Sequence, residues 1–338
     1  MPFLTKFGSH YGITPYRTGN LFFVAPAASY TLTGPQGQRS YSASDDHDGL
    51  SPERALRTIA QAITLSVASS GDVILLLRGT HTVTATITPR AGTALVGEQP
   101  AFGTVMDGMK YPTSLTIRGT DDELLSIEGS NIEIGYVNLQ GSRTRCIVSF
   151  QTANAIDSFY LHDYYLELSG LVFRGTRGID FAMRESSQAN HGATTSAVVA
   201  TAYLRNGMHV SNGANGEALL LASCNVKAVN LRFHNTAGTW ATPVLVATDT
   251  DNTLLDNCIW SSSGTMTLAA AGYAFGSDAV IADGVHIRNC SVTANIATAA
   301  SAFIGFTAGG VAGANLSENY AMGGPTTSAN GGVLITRA

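Results

Sequence analysis

The sequence predicts an all-β protein, a single-stranded parallel β-helix in which coils of short strands stack into a solenoid. Short apolar segments that end in small or polar residues recur along residues 132–338. Their spacing is one or two times roughly 30 residues, the length of one coil. The equivalent positions are Val137, Leu171, Leu231, Asn257, Asn289 and Asn319. Because Gly, Ser and Asn lie between the segments, the pattern favours strands and turns over a helical repeat.

The composition agrees with stacked strands and argues against several kinds of partner. Charged residues make up 13% of the 338 residues, against ~25% in an average soluble protein. The formal net charge is −5 and Lys and Arg are not clustered, so we expect no nucleic-acid partner. No apolar run of about 18 residues and no signal peptide are found. We therefore expect no membrane insertion and synthesis in the cytoplasm without an export signal.

Residues 1–44 form an N-terminal arm that is expected to be irregular. The segment is rich in Tyr, Phe, Gly, Pro and Thr, and its one strand-like run is residues 20–25, NLFFVA. It has no periodic pattern from which to build a core of its own. Two interpretations remain open: the arm wraps the first coils, or it docks on another protein, since aromatic residues and Arg are enriched at interfaces.

Residues 45–72 are predicted to form a capping helix module. Ser51 is a suitable N-cap, and Pro52 fits the first helical position. One face of the predicted helix 51–68 is apolar; it comprises Leu56, Ile59, Ile63 and Val67. A solenoid needs a cover over the apolar interior of its first coil. We therefore expect this helix to be the cap and the β-helix to occupy residues 73–338, starting near Val73.

One segment of the predicted β-helix stands apart because it is poor in apolar residues. We expect an inserted loop near residues 180–216, followed by one coil. Loops that leave a rigid scaffold commonly carry binding functions. This loop is therefore a candidate for contact with a partner.

Three motifs resemble the N-terminal module of pectate-lyase-like right-handed β-helix proteins. They are residues 48–63 (DGLSPERALRTIAQAI), 71–81 (GDVILLLRGTH) and 93–98 (TALVGE). The resemblance covers about 50 residues and implies a right-handed parallel β-helix, without indicating an activity. The chain departs from the pattern at Arg78, where the family has Pro, and at Glu98, where a second Gly is common.

A second resemblance, made of short motifs, spans most of the chain. Residues 19–24 (GNLFFV), 318–320 (ENY) and 332–338 (GVLITRA) are similar to segments of β-helix proteins encoded among the virion structural genes of tailed bacteriophages. The resemblance implies a virion structural protein, foremost a capsid decoration or head spike protein. Its partners would be the major capsid protein or other virion proteins, and a homo-oligomer fits the same interpretation. The arm would then provide the contacts, through Phe3, Phe7, Tyr11, Tyr16 and Arg17.

Two alternatives remain: a tailspike or polysaccharide lyase or hydrolase that cuts host glycan, and a non-enzymatic receptor-binding fibre. The motifs of polygalacturonase-like enzymes do not occur in this sequence. A lyase would need carboxylates that hold Ca²⁺ and a basic residue. The candidates are Asp121, Asp122, Glu123, Glu128 and Glu133, with Arg143 and Arg145 nearby. A solvated loop explains this charged cluster better, so we assign no catalytic residue.

The remaining polar and sulfur-containing residues are predicted to be structural. The run Asp45 to Asp48 lacks the spacing of a calcium loop, and we expect its carboxylates to turn the chain ahead of the helix. No metal-ligand spacing occurs among the His and Cys residues, so we predict no metal and no cofactor. Cys258 and Cys290 are expected to be small buried residues rather than a disulfide. Asn257, Asn289 and Asn319 are predicted to stack as a structural ladder at one corner of the coils.

Overall fold

The structure is a computed structural model, and it describes eighteen stretches of the chain. These are residues 19–34, 37–98, 110–117, 124–140, 147–150, 158–168, 179–180, 199–211, 219–221, 224–236, 239–240, 244–246, 253–268, 273–277, 286–296, 302–306, 315–317 and 320–322. Strands dominate these stretches, as predicted for an all-β protein. In the same stretches no helix is long and apolar enough to cross a membrane.

A large sheet of 17 strands, which pair in parallel, forms most of the described structure. Its strands are β1 (Leu21–Val24), β4 (Val73–Leu76), β5 (Gly79–Val83), β6 (Ala94–Gly97), β7 (Thr113–Ile117), β9 (Ile132–Gln140), β11 (Phe159–Leu168), β13 (Val199–Ser211), β15 (Cys224–Val229), β16 (Arg232–Asn235), β17 (Thr239–Trp240), β19 (Leu254–Asp256), β20 (Ile259–Leu268), β22 (His286–Arg288), β23 (Ser291–Ile296), β25 (Asn315–Ser317) and β26 (Tyr320–Met322).

Two smaller sheets accompany the large one. A seven-stranded parallel sheet contains β8 (Leu125–Ile127), β10 (Val148–Phe150), β12 (Ile179–Asp180), β14 (Leu219–Leu221), β18 (Val244–Val246), β21 (Tyr273–Ser277) and β24 (Ala302–Phe306). An antiparallel hairpin is made of β2 (Ser29–Gly34) and β3 (Gly37–Ser42). Along the chain, strands of the seven-stranded sheet alternate with strands of the large one, so successive turns of chain add to both sheets.

The parallel register places one residue from each of ten strands in a single column. Each member pairs directly with the next one in the series. The column runs Phe22, Ile74, Leu95, Ile134, Leu161, Leu204, Ala228, Leu255, Ile287 and Leu316. The first nine side chains are at most 4% exposed and belong to one hydrophobic cluster. This continuous apolar column stabilises the stack, because each strand covers the apolar face of its neighbour.

A second regular feature is a left-handed corner that recurs after this column. Six residues there have φ between 48° and 58°: Tyr136, Asp163, Asn206, Asn230, Asn257 and Asn289. Asn and Asp tolerate this conformation better than other non-glycine residues. The Asn residues of the repeat are therefore corner residues, selected for their backbone conformation.

The predicted helix 51–68 is wrong in extent. Residues Pro52–Arg54 form a short 3-10 turn, and the α-helix α1 covers only Ile59–Leu65. Its N-cap is Thr58, whose hydroxyl accepts a hydrogen bond from the Gln61 amide at 3.1 Å. Val67, which was expected on the apolar face, lies beyond the helix and is 58% exposed.

Backbone pairing with β1 explains the shorter helix. The Leu56 amide donates to the Phe23 carbonyl at 2.8 Å, and the Leu56 carbonyl accepts from the Ala25 amide at 2.9 Å. Leu56 is thereby held in an extended bridge and is fully buried. Tertiary hydrogen bonds and burial outweigh the weak local preference for helix at this position.

The sheet also begins earlier in the sequence than predicted. Strand β1 lies within the segment that was expected to be an irregular arm, and it pairs in parallel with β4 in the register Phe22 to Ile74. The hairpin β2–β3 packs beside it, with Tyr30 and Tyr41 in a second hydrophobic cluster. The apolar run 21–24 thus gains a partner through long-range pairing. Residues 1–18 of the expected arm lie outside the described ranges.

Part of the segment expected as a loop near 180–216 is strand. β13, at 13 residues, is long and lies between β11 and β15 in the large sheet. Residues 181–198 and 212–218 lie outside the described ranges. The described part of this segment therefore belongs to the stack of strands.

Candidate functional site

A groove of about 770 Å³ opens on the outward face of the large sheet. It lies across β9, β11, β13 and β15, and the turns around Ser69 and Gly92 border it. Three tyrosines and four charged residues line it: Tyr136, Tyr160, Tyr203, Glu133, His162, Arg205 and Lys227. The concave shape and the mixture of rings and charges make this groove the candidate functional site.

Strand alternation brings these side chains together. Glu133, Tyr160, Tyr203 and Lys227 are paired in register, one position before the buried column. Because side chains alternate across a strand, the positions before and after a buried residue face outward together. His162 and Arg205, two residues after Tyr160 and Tyr203, therefore lie on the same face. The site therefore consists of two adjacent columns of side chains that run across the strands on the outward face of the sheet.

At one end of the groove, an imidazole is held between two carboxylates. Nε2 of His162 donates to Oε1 of Glu133 at 3.0 Å, and Nδ1 donates to Oδ2 of Asp163 at 3.0 Å. The Glu133 side chain is only 2% exposed and that of His162 16%. Burial lowers the pKa of His162, but the hydrogen bonds to Asp163 and Glu133 outweigh it and raise the pKa to about 9. His162 is therefore a cation at neutral pH.

This clamp limits the chemistry that His162 can perform. Both ring nitrogens already donate to protein carboxylates, so neither is free to take a proton from a substrate. A general base also works best with a pKa near the working pH, and the pKa of His162 is well above it. The imidazolium therefore fixes the positions of the two carboxylates, and acid–base catalysis by His162 is not supported.

The middle of the groove is an aromatic stack that ends in a cation. The rings of Tyr160 and Tyr203 are parallel within 3°, with centroids 5.0 Å apart. Nζ of Lys227 lies 5.4 Å from the centroid of the Tyr203 ring, a cation–π distance. Tyr160 and Tyr203 are 39% and 36% exposed, so solvent and ligands reach both rings.

Tyr136 is the first of the six left-handed corner residues, and the other five are Asn or Asp. Its φ is 54°, which is unfavourable for a bulky residue. The ring packs edge-on against His162 at 5.2 Å and against Tyr111 at 6.2 Å. Strained residues concentrate at functional sites. The position of Tyr136 on the groove wall fits that tendency.

A hydrogen-bonded ladder of corner side chains runs away from the clamp. Asn206 donates to Oδ1 of Asp163 at 3.1 Å, Asn230 donates to Asn206 at 3.1 Å, and Asn257 donates to Asn230 at 2.8 Å. Every amide of the ladder donates in the direction of Asp163. The Asp163 carboxylate, which accepts a hydrogen bond from His162, is therefore also the last acceptor of the ladder. The three Asn residues of the ladder are exposed, and Asp163 is half-buried.

The three residues that were predicted to form a ladder do not all lie in it. Asn257 lies in the ladder, whereas Nδ2 of Asn289 donates to Oδ1 of Asp256 at 2.9 Å. Burial raises the pKa of Asp256, but the bonds from Arg288 and Asn289 outweigh it and lower that pKa overall. Asn319 lies outside the described residues. The sequence interpretation did not include Asp163, Asn206 and Asn230, which the parallel register aligns with Asn257.

The other residues singled out in the sequence lie in various places. Phe3, Phe7, Tyr11, Tyr16 and Arg17 are outside the described ranges, as are the carboxylates Asp121, Asp122 and Glu123 and the bases Arg143 and Arg145. Of that charged cluster, the described members are Glu128, which is exposed, and Glu133, which lines the groove. Cys258 and Cys290 are buried free thiols. Among the described residues, no group of three or more His, Cys, Asp or Glu is arranged to hold a metal ion.

The acidic run before α1 has hydrogen-bond partners in the turns around it. Asp45 accepts from the amides of Arg57 at 3.0 Å and Thr58 at 2.9 Å, and from the Thr58 hydroxyl at 2.9 Å. Asp48 accepts from the Leu50 amide at 3.1 Å. These carboxylates stabilise the turns that precede the helix, which is the role predicted from their position.

Comparison with models of known protein families, with curated proteins and with solved structures finds no match.

Proposed function

We propose that this chain is a right-handed parallel β-helix and that it is a structural protein of a bacteriophage virion, a capsid decoration or head spike protein. The column of paired positions from Phe22 to Leu316 is the observation that carries the proposal. A β-helix would bring successive coils into parallel pairing along such a column. The resemblances of the N-terminal module and of the short phage-type motifs support the same assignment.

The proposed body suits a particle surface. In the described ranges, backbone hydrogen bonds join each strand of the large sheet to its neighbours, and the interior column is almost fully buried. Regions with many buried contacts open rarely, and proteases cut them slowly. A stiff, protease-resistant body is what an external virion component needs, with the major capsid protein or another virion protein as its partner.

The copy number per particle tests this proposal. Quantitative mass spectrometry of purified virions, calibrated on the major capsid protein, should find many tens of copies. A handful of copies would overturn the decoration role in favour of a tail device. Absence from purified virions would overturn the virion assignment altogether.

Electron cryo-microscopy of the purified protein tests the fold separately. The expected image is a rod with a rise of ~4.8 Å per coil, the spacing between paired strands, and with right-handed winding. An open sheet or left-handed coils would contradict the proposed architecture.

A second candidate function is non-enzymatic recognition of a host surface glycan, and the groove favours it. Exposed tyrosine rings beside cationic groups are suited to binding a polar ligand with apolar faces. Because both nitrogens of His162 are engaged, the groove supports binding better than a reaction that uses this imidazole as general base. Depolymerisation of a glycan by the purified protein, lost on changing Asp121 or Asp122, would reverse this preference.

A further inference from the structure

The charges of the groove are distributed unevenly along its length. At one end, Glu133 and Asp163 both receive hydrogen bonds from His162, and Asp163 receives a further one from Asn206. The single imidazolium of His162 offsets one of these two negative charges, and the amide of Asn206 adds none. Arg205 and Lys227 lie at the other end, and neither forms an ion pair with any residue in the described ranges. The end of the groove that carries Arg205 and Lys227 is therefore positive, although the whole chain carries a net charge of −5.

The two cations flank an aromatic surface. Lys227 is held over Tyr203 by the cation–π contact at 5.4 Å, and Arg205 follows Tyr203 by two residues on the same face. Tyr160 extends the ring surface by one strand. The ammonium group is thus positioned before any ligand arrives, which reduces the entropy lost on binding.

The position of the groove on the sheet restricts the class of ligand. It lies over strands that are paired on both sides, so a peptide finds no free strand edge to extend. Two cations on an acidic chain are too few for a nucleic-acid backbone, which is bound by many phosphate contacts. Phenol hydroxyls, an ammonium and a guanidinium beside ring surfaces complement a ligand with hydroxyl groups, apolar faces and carboxylates.

We infer that the groove binds an acidic saccharide, with Tyr160 and Tyr203 packing against the sugar rings and Arg205 and Lys227 binding its carboxylates. This inference rests on the second candidate function and names its ligand class. Guanidinium and ammonium groups form charge-assisted hydrogen bonds with carboxylates. The carboxylates of Glu133 and Asp163 share one imidazolium and lie at the opposite end of the groove from Arg205 and Lys227.

Binding of the full chain to a glycan array tests the inference. The array should display oligosaccharides of uronic and sialic acids beside neutral oligosaccharides of matched length. We expect selective binding of an acidic class, weakened by salt because the charges are exposed. Arg205→Gln and Lys227→Gln should each weaken that binding by about tenfold or more, the effect of losing one charge-assisted hydrogen bond.

Two control variants separate the ligand class from general electrostatic attraction. Arg54→Gln removes one positive charge that does not line the groove and should leave binding unchanged. Tyr160→Ala keeps both cations and should still lose about tenfold in affinity. Far-UV circular dichroism and the thermal midpoint of each variant must match the unmodified chain.

The outcomes distinguish the inference from the function on which it rests. Binding of neutral saccharides that is insensitive to Arg205→Gln and Lys227→Gln would overturn the acidic class and leave glycan recognition standing. Acidic binding that Tyr160→Ala leaves intact would reduce the effect to surface charge and overturn the saccharide site. Binding to neither class would overturn the inference together with glycan recognition.

Discussion

At the scale of single residues, His162 is the clearest case of an environment that sets a charge. It is largely buried, and Tyr136 packs against its ring, but Glu133 and Asp163 each face one ring nitrogen. Removing such a group from water disfavours its charged form, whereas two carboxylates favour it. The carboxylates prevail, so the cation is part of the folded structure.

The stability of the protein should therefore fall in alkaline solution. The pKa of His162 is about 9 in the folded protein and ~6.5 in an unfolded chain. Because the folded value is higher, the stabilisation is complete below pH ~6.5 and is lost as the pH rises through about 9. The loss is on the order of 3 kcal/mol. Urea unfolding at about pH 6 and about pH 9.5 measures it.

His162→Gln is the matched variant for this prediction. Glutamine keeps an amide donor but does not titrate, so the difference in unfolding free energy between the two pH values should shrink. An unchanged difference in His162→Gln would assign the alkaline loss to other groups. Glu133→Gln should also reduce the difference, because it removes one of the two charges that hold the imidazolium.

At the scale of structural elements, the left-handed corner combines a backbone requirement with a side-chain ladder. Asn230 has φ 58°, donates to Asn206 and accepts from Asn257. An L residue in this conformation costs roughly 1–2 kcal/mol, less for Asn, and each exposed hydrogen bond contributes about 0.5–1 kcal/mol. The two effects can be separated by substitution.

Asn230→Ala should destabilise the protein by about 2 kcal/mol, since it loses both the favourable corner conformation and the ladder bonds. Asn230→Gly should cost about half as much, because glycine adopts positive φ freely and only the bonds are lost. Chemical unfolding of the two variants gives the comparison. Equal losses would mean that the backbone conformation contributes nothing at this corner.

Packing between neighbouring strands imposes another requirement at this scale. Gly207 pairs with Tyr164, and a Cβ atom at Gly207 would lie 2.1 Å from Cζ of the Tyr164 ring. The ring is fully buried, and its hydroxyl hydrogen-bonds to Nε2 of His209 at 2.8 Å. The large residue on one strand is thus accommodated by the absence of a side chain on the next.

Gly207→Ala should cost about 1–3 kcal/mol through overpacking. The same change made in a Tyr164→Leu background should cost clearly less, because the clashing ring is gone. Unfolding free energies of the four proteins in this cycle measure the coupling. Additive costs would show that Gly207 is required for a reason other than the Tyr164 ring.

At the scale of the whole molecule, the arm and the body can be separated at residue 18. The Gly19 amide donates to the Gly71 carbonyl at 3.3 Å, and the Asn20 amide donates to Oδ1 of the buried Asp72 at 2.6 Å. Residues from Gly19 onward therefore belong to the body. A truncation that tests the arm has to end before Gly19.

Deleting residues 1–18 should leave the strand-dominated far-UV circular dichroism and the thermal midpoint nearly unchanged. If the arm docks the protein on the particle, as proposed through Phe3, Phe7, Tyr11, Tyr16 and Arg17, the truncated protein should fail to enter virions. Incorporation is measured by mass spectrometry of purified particles. Full incorporation would place the docking face on the body, and loss of the folded signal would show that the arm only covers the first strands.

Local pattern was sufficient to predict the strand-rich, parallel character of the protein. Alternating apolar residues and Gly- or Asn-rich turns fall within a few residues of one another, so they are visible without knowledge of partners. The buried thiols of Cys258 and Cys290 and the turn-forming Asp45 were predicted for the same reason. The predicted extent of the helix was wrong because Leu56 pairs with strand β1. That strand is distant in sequence, so the local pattern around Leu56 does not reveal the pairing.

The groove was decided only by the tertiary structure. Glu133, Tyr160, Tyr203 and Lys227 share no motif, and they form one outward column because the parallel register places their strands side by side. The two departures from the N-terminal module, Arg78 and Glu98, likewise form an ion pair with each other. The sequence by itself determined which segments form strands, because that depends on neighbouring residues. Which side chains meet depends on register between distant segments, and the folded stack alone sets it.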